Sequence, residues 1–196
     1  MAGIIENGVV TTRFVAPISI ISNQPAFATD SLSLKRQTVS QDAQRWEITT
    51  NLEPSDSSAD FLVHSVINGY NKSFTIEMPQ VFRRKGGTTS TLCSTSLLTT
   101  KGNSSVSVTT NKLIAKGEFI QFQNHSKVYL VKSDRDKNGF LEIYPALRQD
   151  VPANTVVIFD NNVRMNVRYE LDTALGITYV DGVLSDPGSV KLIEAL

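Results

Sequence analysis

Between Lys116 and Arg148 the chain reads KGEFIQFQNHSKVYLVKSDRDKNGFLEIYPALR, and its apolar positions recur at every second residue. Ile120 and Phe122 fall on one face of a predicted strand and Phe119 and Gln121 on the other. Asn124, His125 and Ser126 supply a turn. A second strand over Lys127–Lys132 sets Val128 and Leu130 against Tyr129 and Val131. The next reversal, Asp134 to Gly139, ends in Asn138-Gly139, two residues that tolerate positive φ. A third strand, Phe140 to Tyr144, turns Leu141 and Ile143 inward and Glu142 outward, and Pro145 closes it because it cannot donate to a ladder. Three strands in a meander predict a small barrel or sandwich core.

The same alternation extends in both directions. Arg13–Ile21 (RFVAPISII) is apolar and β-branched, with Pro17 marking an edge or bulge. Ser31–Val39 reads as a half-buried strand. Gln44–Leu52 places Trp46, Ile48, Thr50 and Leu52 toward a core and Arg45, Glu47 and Thr49 away from it. Ser73–Met78 pairs Phe74 with Ile76; Thr155–Phe159 is a buried strand. Val163–Glu170 alternates Val163, Met165, Val167 and Tyr169 against Arg164, Asn166 and Arg168, and Ile177–Val183 and Val190–Ala195 flank an Asp186-Pro187-Gly188 turn. The period changes once, over Pro54–Tyr70. Phe61, Leu62 and Val66 recur there at helical spacing after a Ser-rich run suited to capping, which predicts one helix of about three turns. Met1–Thr12 shows no clear period and reads as a loosely held arm able to dock on a neighbouring copy.

Arg83-Arg84-Lys85-Gly86-Gly87 forms a basic hinge, and Thr88–Asn111 is rich in Ser and Thr, which predicts strands with polar faces. This hinge and the turn at Asp160–Asn162 bracket an inserted module. The expected organisation is therefore a discontinuous β domain from residues 1–80 and 162–196, its first strands pairing with its last, and an inserted domain over residues 81–161. The expected class is mainly β.

Composition narrows the chemistry. The chain has 196 residues with 19 basic against 19 acidic side chains, so it lacks the net positive charge of a protein that grips nucleic acid along its backbone. The single Cys93 excludes an intrachain disulfide and reads as a buried thiol. No run is long enough for a membrane-spanning helix, and the N-terminus lacks a signal-peptide pattern, so a soluble product made in the cytosol is expected.

No triad, metal cage or nucleotide cradle is visible, and no catalytic, cofactor-binding or metal-ligating residue is assigned. His64 and His125 read as structural. The loop Asp134–Gly139 has calcium-like acidic spacing, but Arg135 and Lys137 intervene and Pro145 stands where the bidentate glutamate belongs. Arg83-Arg84-Lys85 reads as a solvated linker, and Gly86-Gly87 lacks the Lys-Ser or Lys-Thr of a phosphate loop. Phe119, Tyr129 and Tyr144, taken as exposed, are the candidate contacts for a glycan or partner, through a stacking platform of the kind some barrels carry.

Three groups of residues carry a family resemblance. Gly117-Glu118-Phe119 leads into His125, Lys127, Val128 and Tyr129, and then into Leu141, Ile143, Tyr144, Pro145 and Leu147. This order resembles a segment of the distal tail proteins of long-tailed bacteriophages, with Glu118 in place of the commoner Asp. Gln44-Arg45-Trp46 and Glu77-Met78-Pro79 are similar to flanking features of the same family, Met78 departing from the usual Leu. The resemblance implies a tail-tube-like β domain with one helix, carrying an inserted barrel similar to an oligonucleotide/oligosaccharide-binding fold. It implies a homo-oligomeric ring, commonly a hexamer, at the tail tip of the virion, joining the tail tube protein to tip or baseplate hub proteins. DNA would pass through the lumen without specific binding. Such a protein acts by assembly, without enzyme activity or cofactor. Two rival readings are a tail-fibre connector of a contractile-tailed phage and a carbohydrate-binding module using the inserted barrel.

Overall fold

The structure is a computed structural model that describes residues 3–6, 8–30, 36–40, 43–54, 71–78, 93–159, 162–171, 178–180, 183–185 and 188–195. The described chain is mainly β. In order, the strands are β1 (Gly3–Glu6), β2 (Val9–Asn23), β3 (Ala26–Asp30), β4 (Arg36–Ser40), β5 (Arg45–Pro54), β6 (Phe74–Glu77), β7 (Ser94–Thr95) and β8 (Ser105–Thr109). They continue with β9 (Phe119–Phe122), β10 (Val128–Val131), β11 (Gly139–Tyr144), β12 (Val157–Ile158), β13 (Arg164–Tyr169), β14 (Thr178–Val180), β15 (Val183–Ser185) and β16 (Ser189–Glu194). One sheet closes as a barrel in the order β1-β2-β5-β16-β13-β6. A second runs β12-β9-β10-β11-β8-β7, and β3-β4 and β14-β15 are separate hairpins.

The barrel begins where an arm was expected. Gly3–Glu6 is a strand held on both sides, Ile4 lying opposite Thr12 of β2 and Ile76 of β6. The physical reason is twofold. Ile4 is fully buried, and Asn7-Gly8 between two aliphatic runs is a tight-hairpin signal. Gly8 takes a φ of 83°, the left-handed backbone that favours glycine. Gly3 is needed for another reason: a Cβ there would run into the Thr12 carbonyl oxygen and the Val10 side chain.

The early and late strands do pair, with β16 antiparallel to β5 so that Leu192 faces Ile48 and Val190 faces Thr50. On β13 the expected alternation is complete: Met165, Val167 and Tyr169 are buried, and Arg164 and Arg168 are exposed. Trp46, Ile48, Thr50 and Leu52 are likewise buried along β5. Glu47 departs from expectation. Predicted to face solvent, it is 5% exposed, because three partners gather around its carboxylate.

One strand prediction is described only in part and another needs redrawing. Of the strand expected over Ser31–Val39, the described part is β4, which pairs with β3, a strand not anticipated. The single strand expected over Ile177–Val183 is a hairpin, Thr178 opposite Ser185 and Val180 opposite Val183. Pro54, where the helix predicted over Pro54–Tyr70 was to begin, instead ends β5; the rest of that prediction, His64, Leu92, the 83–87 hinge and residues 31–35 lie outside the described residues. So do both expected domain boundaries, which fall within 79–92 and 160–161. By contacts the chain divides into two compact units, one built from Met1–Arg13 with Phe74–Asn166 and the other from Phe14–Ser73 with Val167–Ala195. The divide falls within β2 and β13.

The strands between Ser94 and Ile158 form a sheet of their own around the predicted meander. Ile120 lies opposite Tyr129, Val131 opposite Ile143, and Leu141 opposite Val106. At the sheet's two ends β7 meets the segment before β12: Thr95 N–H donates to Thr155 O at 2.9 Å, Val157 N–H to Cys93 O at 2.8 Å, and Ser94 bridges Val156. The sheet thereby wraps into a second, smaller barrel. Its interior holds Val106, Val108, Ile120, Phe122, Tyr129, Leu141, Ile143, Leu147 and Val157. Asn138 does more than turn the chain, since its Oδ1 accepts the Thr110 N–H at 3.0 Å where β8 ends.

Candidate functional site

The stacking platform expected from Phe119, Tyr129 and Tyr144 is not exposed as such. Tyr129 is 0% exposed and Phe119 9%, and Tyr144 is half-buried. The cause is the meander's closure into a barrel, which turns Tyr129 inward with Val131 and packs its ring edge-on against Phe122, centroids 5.5 Å apart.

Tyr129 instead organises a polar network of this barrel. Its hydroxyl accepts the Arg148 N–H at 3.1 Å and lies 2.8 Å from His125 Nε2. The other ring nitrogen, Nδ1, lies 2.9 Å from Asn124 Oδ1, and Asn124 Nδ2 donates to the Asp150 carbonyl at 2.9 Å. These partners assign the protons. Because Asn124 presents oxygen to Nδ1, that nitrogen carries the hydrogen, and Tyr129 donates its own hydrogen to Nε2. Burial pushes the His125 imidazole below its ordinary value, and the nearby Lys127 charge adds to the effect, so the neutral ring fits this relay. The ring also stacks on Phe122 at 5.8 Å. His125 is thus a strut with both nitrogens engaged, tying the turn after β9 to the segment 148–150.

That clasp forms the walls of a cleft of about 200 Å³ lined by Lys101, His125, Ser126, Lys127, Arg148 and Gln149. The third wall is fastened separately. Lys101 N–H donates to Asp150 Oδ1 at 2.7 Å, and Gly102 N–H donates to Leu147 O at 2.8 Å. Three of the six lining residues are cations and none is acidic. Lys127 is nearly enclosed, at 2% exposure, while Lys101 is exposed.

The residues that carry the family resemblance occupy structural posts here. Gly117 has a φ of 87° and donates to Val131 O; Glu118, buried, accepts the Ala115 N–H at 3.2 Å. Leu147 is buried and its N–H donates to Asn103 O. In the loop with calcium-like spacing, Asp134 Oδ1 accepts the Lys116 N–H at 2.7 Å, and Asn138 is committed to Thr110.

On the larger barrel, Glu47 is the centre of an ion network. Lys191 Nζ lies 3.1 Å from Glu47 Oε2 and 2.8 Å from Glu170 Oε2; Arg45 and Asn23 reach Glu47 Oε1 at 3.0 and 2.6 Å. Burial pushes the Glu47 carboxyl up, but the hydrogen bonds from Asn23, Lys191 and Arg45 outweigh it and hold the group below its ordinary value. Glu170 and Glu47 in turn raise Lys191 above its ordinary value. Beside this network runs β2, where Phe14, Ile18 and Ile20 are half-buried and Val15 and Ile21 are 38% and 51% exposed.

No protein-family model matches the chain, and no curated protein matches it.

Proposed function

We propose that this protein is a structural component of a virion whose copies assemble into a ring, a distal tail or baseplate hub ring joining tail tube to tail tip. The proposal begins from the resemblance in the Gly117–Leu147 segment. The observation that supports it best is the character of β2: across Phe14–Ile21, Phe14, Val15, Ile18, Ile20 and Ile21 are all left at least partly open to solvent in the isolated chain. A β-branched, apolar strand that its own chain covers only in part fits association with further copies, because apolar surface patches mark protein contact surfaces. The larger barrel is the tail-tube-like body in this reading. The smaller barrel, similar to an oligonucleotide/oligosaccharide-binding fold in its closure and its β9-β10-β11 meander, is the inserted module. The protein works by assembly, makes no covalent change, and leaves the lumen to passing DNA.

Light scattering coupled to size exclusion, with electron microscopy of the purified protein, tests the proposal. A closed ring of identical copies is the expected result, with Val15→Lys and Ile21→Lys together reducing it to monomers that retain their circular dichroism. A wild-type protein that stays monomeric at tens of micromolar and does not bind tail tube protein would sink it.

A further inference from the structure

The outer face of β8 and β11 on the smaller barrel carries a surface that ring assembly does not explain. The alternation that sends Val106, Val108, Leu141 and Ile143 into the core turns Ser105, Ser107, Phe140 and Glu142 outward. Pairing sets these residues side by side, Phe140 opposite Ser107 and Glu142 opposite Ser105. Ser96 extends the row: its N–H donates to Ser107 O at 2.9 Å, and its hydroxyl lies 2.6 Å from the Ser107 hydroxyl. On the other side of β11, Lys132 N–H donates to Glu142 O at 2.9 Å, and the half-buried Tyr144 lies opposite Leu130.

We propose that this face binds a neutral oligosaccharide, with a pyranose ring stacked on Phe140 and its hydroxyls held by Glu142 and by the Ser96 and Ser107 hydroxyls. Phe140 is 60% exposed, so its ring is open to a ligand. A pyranose suits this setting, because its ring hydrogens make an apolar face and its hydroxyls a polar rim. The Glu142 carboxylate takes no hydrogen bond or ion pair from the described residues, and a carboxylate accepts from two neighbouring sugar hydroxyls at once. Two serine hydroxyls that share one hydrogen bond keep one hydrogen to donate. Phe140 and Tyr144 stand four residues apart on one face of β11, roughly 13 Å, which is long enough for more than one sugar unit.

Charge separates this ligand from others. Lys132 is the one cation among these residues and Glu142 pairs with it across the ladder, so the face lacks the basic track that a nucleic-acid strand needs. A protein contact of standard size covers about 800 Å² on each partner and keeps charge out of its centre, whereas here a carboxylate follows Phe140 on the same strand face. Leu97 and Leu98, also exposed, follow Ser96 beyond the end of β7 and outside this row.

Calorimetry and saturation-transfer NMR of the full-length protein with maltotriose, cellotriose and triacetylchitotriose test the proposal. Saturable binding of at least one of them below about 20 mM is expected. Phe140→Ala should weaken it about tenfold and Phe140→Trp should keep or strengthen it, while Glu142→Gln should weaken it about tenfold, as for loss of a charged hydrogen-bond partner. A thermal melt by circular dichroism checks the fold of each variant; should Phe140→Ala fail to fold, Glu142→Gln decides. No saturable binding of any of the three sugars, wild-type affinity in the variant that decides, or tighter binding of oligodeoxythymidine than of sugar would each overturn the assignment. A drop in self-associated mass in Phe140→Ala would overturn it too, by marking the face as a contact between copies.

Discussion

His125 and Glu47 show how single side chains are set by what surrounds them. His125 is held neutral, so its folded form binds a proton less readily than the unfolded chain does. The stability this contributes is complete above the ordinary value of 6.5 and declines as pH falls below it. An NMR titration of the ring should give a midpoint under 6.5. Tyr129→Phe removes the hydroxyl that serves both Arg148 and His125, and should cost about 1–3 kcal/mol in urea unfolding while leaving ring packing on Phe122 in place. Glu47, also depressed, contributes fully above 4.5 and loses its contribution as pH falls further. Glu47→Gln should therefore cost about 2 kcal/mol at pH 7, with the gap to wild type narrowing below pH 4.5. None of this was legible from spacing. Glu47 alternates correctly for an outward position, and only Asn23 of β2, Lys191 of β16 and Arg45 of its own strand draw it in. His125 reads as structural in the sequence, and its link to Arg148 passes through a backbone N–H, which leaves no signature in residue type.

Among the elements, those with strict two-residue periods were legible, and those defined by turns were less so. The alternation on β6 and β13, and on β5 apart from Glu47, translates directly into burial because each strand presents one face to a core. The β1-β2 hairpin was missed because four residues are too few to show a period. Its evidence lay in Asn7-Gly8, which is turn chemistry. The same lesson holds for β14 and β15, which Asp181-Gly182 separates in the chain. At this scale Gly3 is the decisive contact between paired strands. Gly3→Ala would press a methyl group into the Thr12 carbonyl and should lower stability by about 1–3 kcal/mol, read as a fall in the urea midpoint at unchanged slope.

At the scale of the whole molecule, sequence periodicity indicated a mainly β chain and early strands joined to late ones, and the β5-β16 ladder realises that joining. A small barrel was expected from the meander, but the pairings that close each sheet join residues far apart in the chain, such as Thr95 with Thr155, and could not be read from spacing. Nor was the partial exposure of the apolar side chains of β2 legible. A run like RFVAPISII reads the same whether its own chain or another copy covers it. If other copies cover it, ring assembly should survive high salt, since apolar contact is not screened, and light scattering in 1 M sodium chloride would reveal the same mass as in 0.1 M.

The seam that closes the smaller barrel carries a reporter. Cys93 is the only thiol in the chain, is buried, and offers its carbonyl to Val157 across the line where the first and last strands meet. A maleimide can reach that sulfur only when the seam parts, so its rate of alkylation measures how often the strands unzip. The protein thus comes with a gauge of its own breathing already installed, and anything that grips the barrel from outside should slow the reaction.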